Sequence, residues 1–319
     1  MKHSCRRHQT KSMLRAFSCF MIAVTAVILS GTSCQCSQPT DEQTTCLWRI
    51  DSEYNTVYLL GSIHILRQED HPLPKLMEDA YDDADALVFE IDLDSAETMG
   101  AQYMMFSKAR GDGPDTLQTM LTEDAYDIAA QEAAELGLSI DQLGAFEPWF
   151  VAIYINQLKF EQLGFESEYG VDEYFYNRAQ QDGKDLHALE TLEYQIDCFD
   201  QLNWSDQEML LLETFAELAI YEADSEIMVD SWRTGNITAL EEMVLEPFEE
   251  YPHLYTKFLS ERNENWLPRI EGFLRQDDDY LVIVGAGHLV GPDGLVTLLQ
   301  NEGYSIEQVG TENADAVNQ

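Results

Sequence analysis

One phrase occurs twice in this chain and narrows what it can fold into. Thr56-Val57-Tyr58-Leu59-Leu60-Gly61-Ser62-Ile63-His64 stands near the front, and Tyr280-Leu281-Val282-Ile283-Val284-Gly285-Ala286-Gly287-His288 near the end. Each is a short apolar, β-prone run that breaks on a glycine and presents a histidine three residues later. Glycine lacks a Cβ and lets a chain turn sharply off a strand. In open sheets with helices, ligands bind in the crevice beyond the carboxyl ends of strands. The two phrases therefore predict that His64 and His288 converge at such an edge, from opposite ends of the chain, to hold a metal ion.

A third run ends in acid. Ala86-Leu87-Val88-Phe89-Glu90-Ile91-Asp92 reads as an apolar strand that closes on carboxylates. A carboxylate there is costly to bury unless it is paired or metal-bound. Glu90 is thus a candidate metal ligand or general base, with a solvated strand-end acid as the plainer alternative and Asp92 as a supporting group. Leu47–Ile50 and Thr56–Leu60, separated by turn residues, predict a hairpin, and a helix follows over Lys75–Ala84. Between Pro114 and about Ile270 the helical period dominates. Helices are expected over Thr122–Leu136, Pro148–Leu163, Val171–Gln181, Thr191–Leu202, Ser205–Tyr221, Asp224–Thr234 and Thr238–Val244. Asp185–Ala188 reads as a short strand, after which Glu190 stands at a strand-to-helix junction. It is either a site carboxylate or an acid stabilised by the helix dipole. Arg262, where basic residues are scarce, either orients a site carboxylate or forms a surface ion pair. Tyr280–Val284 is a buried strand by pattern, Leu295–Asn301 a helix and Tyr304–Val309 a last strand.

Charge limits the partners. The 319-residue chain carries a formal net charge of -41. Residues 1–33 hold five basic residues and no acidic one, so their removal would take -41 to -46. Such a surface repels nucleic acid and anionic lipid. Acid richness with only five lysines after residue 33 fits either a salt-adapted protein or an ordinary acidic secreted one. The first 33 residues have the layout of a secretory signal peptide: basic region, apolar core from Met13 to Leu29, then Ser30-Gly31-Thr32-Ser33. Cys34 follows at once, as in bacterial lipoproteins, where that cysteine is acylated. The expectation is an exported periplasmic or cell-surface protein that touches the membrane only through a lipid on Cys34. Residues 34–46 read as a polar tether and 313–319 as a disordered tail. A Cys46–Cys198 disulfide is conceivable.

Gly61-Ser62-Ile63-His64, Phe89-Glu90, Gly170-Val171-Asp172, Gly183-Lys184, Leu189-Glu190-Thr191, Arg262-Asn263 with Trp266, and Gly285-Ala286-Gly287-His288 stand in an order that resembles the TraB/PrgY/GumN family, which includes the Tiki proteases. The resemblance covers about residues 47–310, within a domain drawn at 47–312. It implies an α+β (α/β-like), EreA/ChaN-like fold: a mixed central sheet built from the N- and C-terminal halves, with a large helical middle. It also implies a metal-dependent peptidase of peptide or protein substrates, active with manganese or cobalt, while two histidines and one carboxylate by themselves suit Mn, Co or Zn. By matching motif, His64, Glu90 and His288 would be the metal or catalytic residues. Arg262 and Asn263 would serve catalysis, with Gly61, Glu190 and Gly285 in support. No HExxH zinc-protease helix occurs. Some members are held to block peptides rather than cut them, and the related ChaN fold binds haem, so a non-catalytic peptide- or haem-binding surface lipoprotein is the alternative. Oligomeric state stays open.

Overall fold

The computed structural model describes residues 44–96, 98–110, 116–218 and 221–310. The leader, Cys34, most of the tether and the tail lie outside the described residues. At the centre is a six-stranded mixed sheet in the order β4-β3-β5-β2-β1-β6. The strands are β1 (Thr44–Asp51), β2 (Thr56–Ser62), β3 (Ala86–Phe89), β4 (Asp185–Ala188), β5 (Tyr280–Gly285) and β6 (Ile306–Gly310). β4, β3, β5 and β2 run parallel, and β1 and β6 are added antiparallel beyond β2. The expected mixed sheet from the two ends of the chain is present, and the middle contributes one edge strand.

Local chemistry explains the pairing. β1 and β2 form the expected hairpin, with Leu47 opposite Leu60. Ser52 Oγ accepts from the amides of Tyr54 and Asn55 and closes the turn. Asn55 Nδ2 then donates to the carbonyls of Phe273 and Asp278, and Thr56 N donates to Asp279 Oδ1 at 2.6 Å. These bonds dock the hairpin beside the start of β5 and set the register Val57 to Tyr280. β5 is buried on both faces, which is why it reads as an unbroken apolar run.

The helical middle follows the predicted punctuation. Helix Glu123–Glu135 is capped by Thr122, helix Leu192–Asp200 by Thr191, and helix Val171–Asp182 stops at Gly183 in the left-handed conformation, φ 73°. Helix Pro148–Gln162 starts on its proline and buries Trp149, Val151, Ala152 and Ile155. Its apolar surface all round is met by helix Trp204–Glu217 and the core. Helix Met99–Ala109 is an addition that apolar periodicity did not announce. Among the described residues no helix is long and apolar enough to cross a membrane.

Two expectations are corrected. β1 begins at Thr44, so residues 44–46 belong to the sheet rather than to the tether. Cys46 and Cys198 are both free and buried, one in β1 and the other in helix Leu192–Asp200, and form no disulfide. Cys46 instead packs against Gly61, where an added Cβ would lie 2.4 Å from its Sγ and 3.2 Å from Ala286. Overpacking of this kind costs about 1–3 kcal/mol. Gly61→Ala is accordingly expected to lower stability by that amount, and Cys46→Ala in the same chain to recover part of it. Denaturant unfolding of the two single variants and the double variant measures the coupling.

Candidate functional site

All four parallel strands point their carboxyl ends at one place. β2 leads to His64, β3 to Glu90, β4 to Glu190 and β5 to His288. This is the crevice that an α/β sheet offers to ligands. Backbone bonds from Leu189 N to Phe89 O and from Glu190 N to Glu90 O hold the β3 and β4 ends together. A π-helical turn, Thr256–Ser260, runs into helix Glu261–Phe273, which buries Arg262, Asn263 and Trp266 against the same place. π-turns of this kind recur at functional sites.

Glu90, Arg262 and His288 are almost fully buried, while 12% of the His64 side chain reaches solvent. Glu90 Oε2 accepts from Arg262 Nη2 at 2.5 Å and from Gln195 Nε2 at 2.8 Å, and Oε1 accepts from Gly285 N at 2.8 Å. Burial alone would raise this carboxyl, but Arg262, the two histidines and the Gly285 amide outweigh it and hold Glu90 below the usual carboxylate range. Glu190 accepts from Arg262 Nε and Nη2 and from Trp266 Nε1, yet burial pushes its carboxyl up.

Every Arg262 donor is committed. Nε goes to Glu190, Nη2 to Glu90 and Glu190, and Nη1 to the Phe258 carbonyl at 3.3 Å and His288 Nε2 at 2.9 Å. A guanidinium has five N–H groups and no acceptor. All five are used within the protein, so Arg262 ties Glu90, Glu190, Phe258 and His288 together. Asn263 is engaged in the same way: its Oδ1 accepts from His288 Nδ1 at 2.7 Å, and its Nδ2 donates to the carbonyls of His288 and Asp293.

The two motif histidines differ. His288 Nε2 can only accept from Arg262, so its proton lies on Nδ1. His64 turns Nδ1 to Asp172 Oδ2 at 2.6 Å, and its Nε2 is buried without a hydrogen-bond partner among the described residues. Glu90 Oε1 stands 3.9 Å from His64 Nε2 and 4.0 Å from His288 Nε2. Burial opposes charge on His64, but Asp172 and Glu90 outweigh it and raise its pKa. Burial and Arg262 push His288 down to about 3.

Whether these residues suit a divalent ion turns on three observations. His64 Nε2 is an orphaned buried donor. Glu90 and Glu190 share one guanidinium and Asp172 adds a third carboxylate on His64, which leaves acid in excess. A Cβ on Gly285 would stand 3.3 Å from both Glu90 Oε1 and His64 Nε2, so the glycine keeps that space clear. The donor set fits a cation at His64 and Glu90. The expected trio is not pre-formed, however: among the described residues no three His, Cys, Asp or Glu side chains stand ready to hold a metal, because Arg262 occupies the His288 nitrogen.

Sequence reasoning misplaced the glycines' purpose. Gly285 has φ −50° and Gly61 lies within β2, so neither supplies a left-handed turn, and both permit close approach. Asp92 is exposed and bonds to Ser95, away from the cluster. Gln195 carried no signal of its own, while Ser62 and Asp172 stood within motifs that carry the resemblance but had no role assigned.

The histidines predict an acid-side instability. With His288 held at about 3 against an ordinary 6.5, the unfolded chain takes up its proton first. Stability is thus present above pH 6.5 and lost as pH falls toward 3. His64, raised, loses its contribution only on the alkaline side of 6.5 and adds no slope below it. Melting temperature is expected to fall from pH 6.5 toward 4.5, ahead of Glu90 protonation, and His288→Gln should flatten that slope.

Residues 46–308 match the TraB/PrgY/gumN family. The chain is 25% identical to the uncharacterized protein YbaP of Escherichia coli K12 over 76% of its own length and 87% of the relative's. It is 23% identical to the metalloprotease TIKI homolog of Amphimedon queenslandica, over 93% of this chain and 69% of that one. The metalloprotease TIKI2 of Xenopus tropicalis is 22% identical, over 86% and 62%. No solved structure gives a significant match. With the family matched across nearly the whole sheet and helical middle, the chain belongs to the TraB/PrgY/gumN family.

Proposed function

We propose that the protein is a metal-dependent hydrolase that cleaves amide bonds in peptide or protein substrates. The observation that carries this reading is the bare, buried Nε2 of His64 facing Glu90 Oε1, at the edge of an otherwise fully satisfied polar cluster. The distant relatives named as metalloproteases support it. His64 Nε2 and Glu90 Oε1 would hold the ion, and Mn, Co and Zn all suit a nitrogen-and-carboxylate set. A divalent ion, when bound there, lowers the pKa of water and polarises a scissile carbonyl.

The chain's own residues do the remainder. Glu90, kept ionised by Arg262, serves at Oε1 either as that ligand or as the base that takes the proton of the attacking water and returns it to the leaving nitrogen as the C–N bond breaks. Gly285 N–H and Gln195 fix the direction of that carboxylate. Arg262, tied at all five donors, and Asn263, tied to His288, keep the burial of Glu90 and Glu190 tolerable and the β5 loop in place. His64 and Asp172 are the members of this cluster nearest solvent.

In a cleavage assay with an unstructured peptide mixture, added Mn, Co or Zn should restore activity removed by a chelator. His64→Ala and Glu90→Gln are each expected to reduce the rate by about 10²–10⁴. Cleavage indifferent to chelation and to both substitutions would overturn the reading. Export through the leader and acylation of Cys34 belong to the same proposal, with the site working outside the cytoplasm at a membrane surface. Palmitate labelling should be lost in Cys34→Ala, and unchanged labelling rejects that anchor.

A further inference from the structure

We infer that Asp172, held by Ser62, is a positioning residue that makes His64 the one open nitrogen donor of the site. The inference rests on the metal-dependent reading for its consequence, and on geometry for its substance. Segment 166–172 is fastened to the chain that carries His64. Leu66 and Glu166 exchange two backbone bonds, and Val171 N donates to Ile63 O at 3.0 Å. Gly170 lies so close to the His64 carbonyl that a Cβ would stand 2.0 Å from its oxygen. No other residue permits that approach, and it sets Asp172 directly beside the His64 ring.

The contacts then assign the proton. Asp172 Oδ2 accepts a short hydrogen bond from Ser62 Oγ and lies 2.6 Å from His64 Nδ1. A carboxylate is an acceptor only, so Nδ1 carries hydrogen, and in the neutral ring Nε2 keeps its lone pair. A carboxylate behind a histidine is the usual way in which proteins orient a metal ligand and raise its basicity. His288 shares the Nδ1–H form through Asn263, but its lone pair is consumed by Arg262. Two histidines in matching motifs therefore do different work. His64 offers a nitrogen, and His288 accepts from the guanidinium that holds Glu90.

Nitrogen-15 histidine spectra of the full exported chain, taken where the rings are neutral, test this without metal. Wild-type His64 is expected as a single Nδ1–H tautomer, and Asp172→Ala should show a mixture in which Nε2–H is present. Calorimetric titration with Mn²⁺ and with Co²⁺ alone should then show a 10–100-fold weaker affinity in Asp172→Ala. A single Nδ1–H tautomer in Asp172→Ala, or unaltered affinity, overturns the assignment. If wild type binds neither ion, nor Zn²⁺ titrated in the same way, the metal-dependent reading fails, while the tautomer ratio still decides the role of Asp172. Should Asp172→Ala not fold, Asp172→Asn serves: it keeps an acceptor oxygen but loses the charge, and an affinity within twofold of wild type rejects the proposal.

Discussion

The buried guanidinium of Arg262 is what allows the rest of the site to exist. Two carboxylates, Glu90 and Glu190, are withdrawn from water at the ends of adjacent strands, where each alone would favour its neutral form. Arg262 satisfies both through a planar fork that lysine cannot reproduce, and its remaining donors reach the Phe258 carbonyl and His288. Breaking such a buried pair from one side typically costs about 3–5 kcal/mol, because the partner is left charged and alone. The cluster therefore behaves as a unit, and its polar members are held by one another more than by the sheet beneath them.

That unit explains how one site can be rigid on one side and open on the other. From Gln195 through Glu90, Arg262, Glu190 and Trp266 to His288 and Asn263, each polar group has its partner. Among the described residues, only at His64 does the network end in an unused lone pair. A pre-organised wall with a single unsatisfied donor is a sensible place for chemistry, since the groups that must not move are already committed. The two GxxH phrases, alike in sequence, feed opposite halves of this arrangement.

The parallel strands make that convergence possible. β2 and β5 come from opposite ends of the chain yet lie side by side, joined in register by the Asn55 and Thr56 bonds to the turn before β5. β3 and β4 extend the same edge, and long helical connections return the chain between them. Sequence-distant carboxylates and histidines thus meet because parallel pairing brings all four carboxyl ends to one side.

Much of this was legible before any coordinates. Apolar runs of the right length announced β2, β3 and β5, glycine and capping residues bounded most of the helices, and the strand-Gly-His phrases located His64 and His288 at strand ends. Those signals are local: they depend on backbone propensity and burial period, which a sequence carries in place. Other features needed the tertiary structure. That Arg262 spends every donor inside the protein, that Gly61 and Gly285 serve close approach rather than turning, and that Cys46 packs on Gly61 are facts about neighbours far away in the chain. Asp172 shows the division most clearly. The sequence marks it only as part of the Gly170-Val171-Asp172 motif, without a role, and only the docking of Gly170 on the His64 backbone turns it toward an imidazole. Residue type and local pattern determined which groups could do chemistry. Long-range packing decided which nitrogen was left free to do it, because a hydrogen bond is assigned by what lies within 3 Å and not by what lies nearby in sequence.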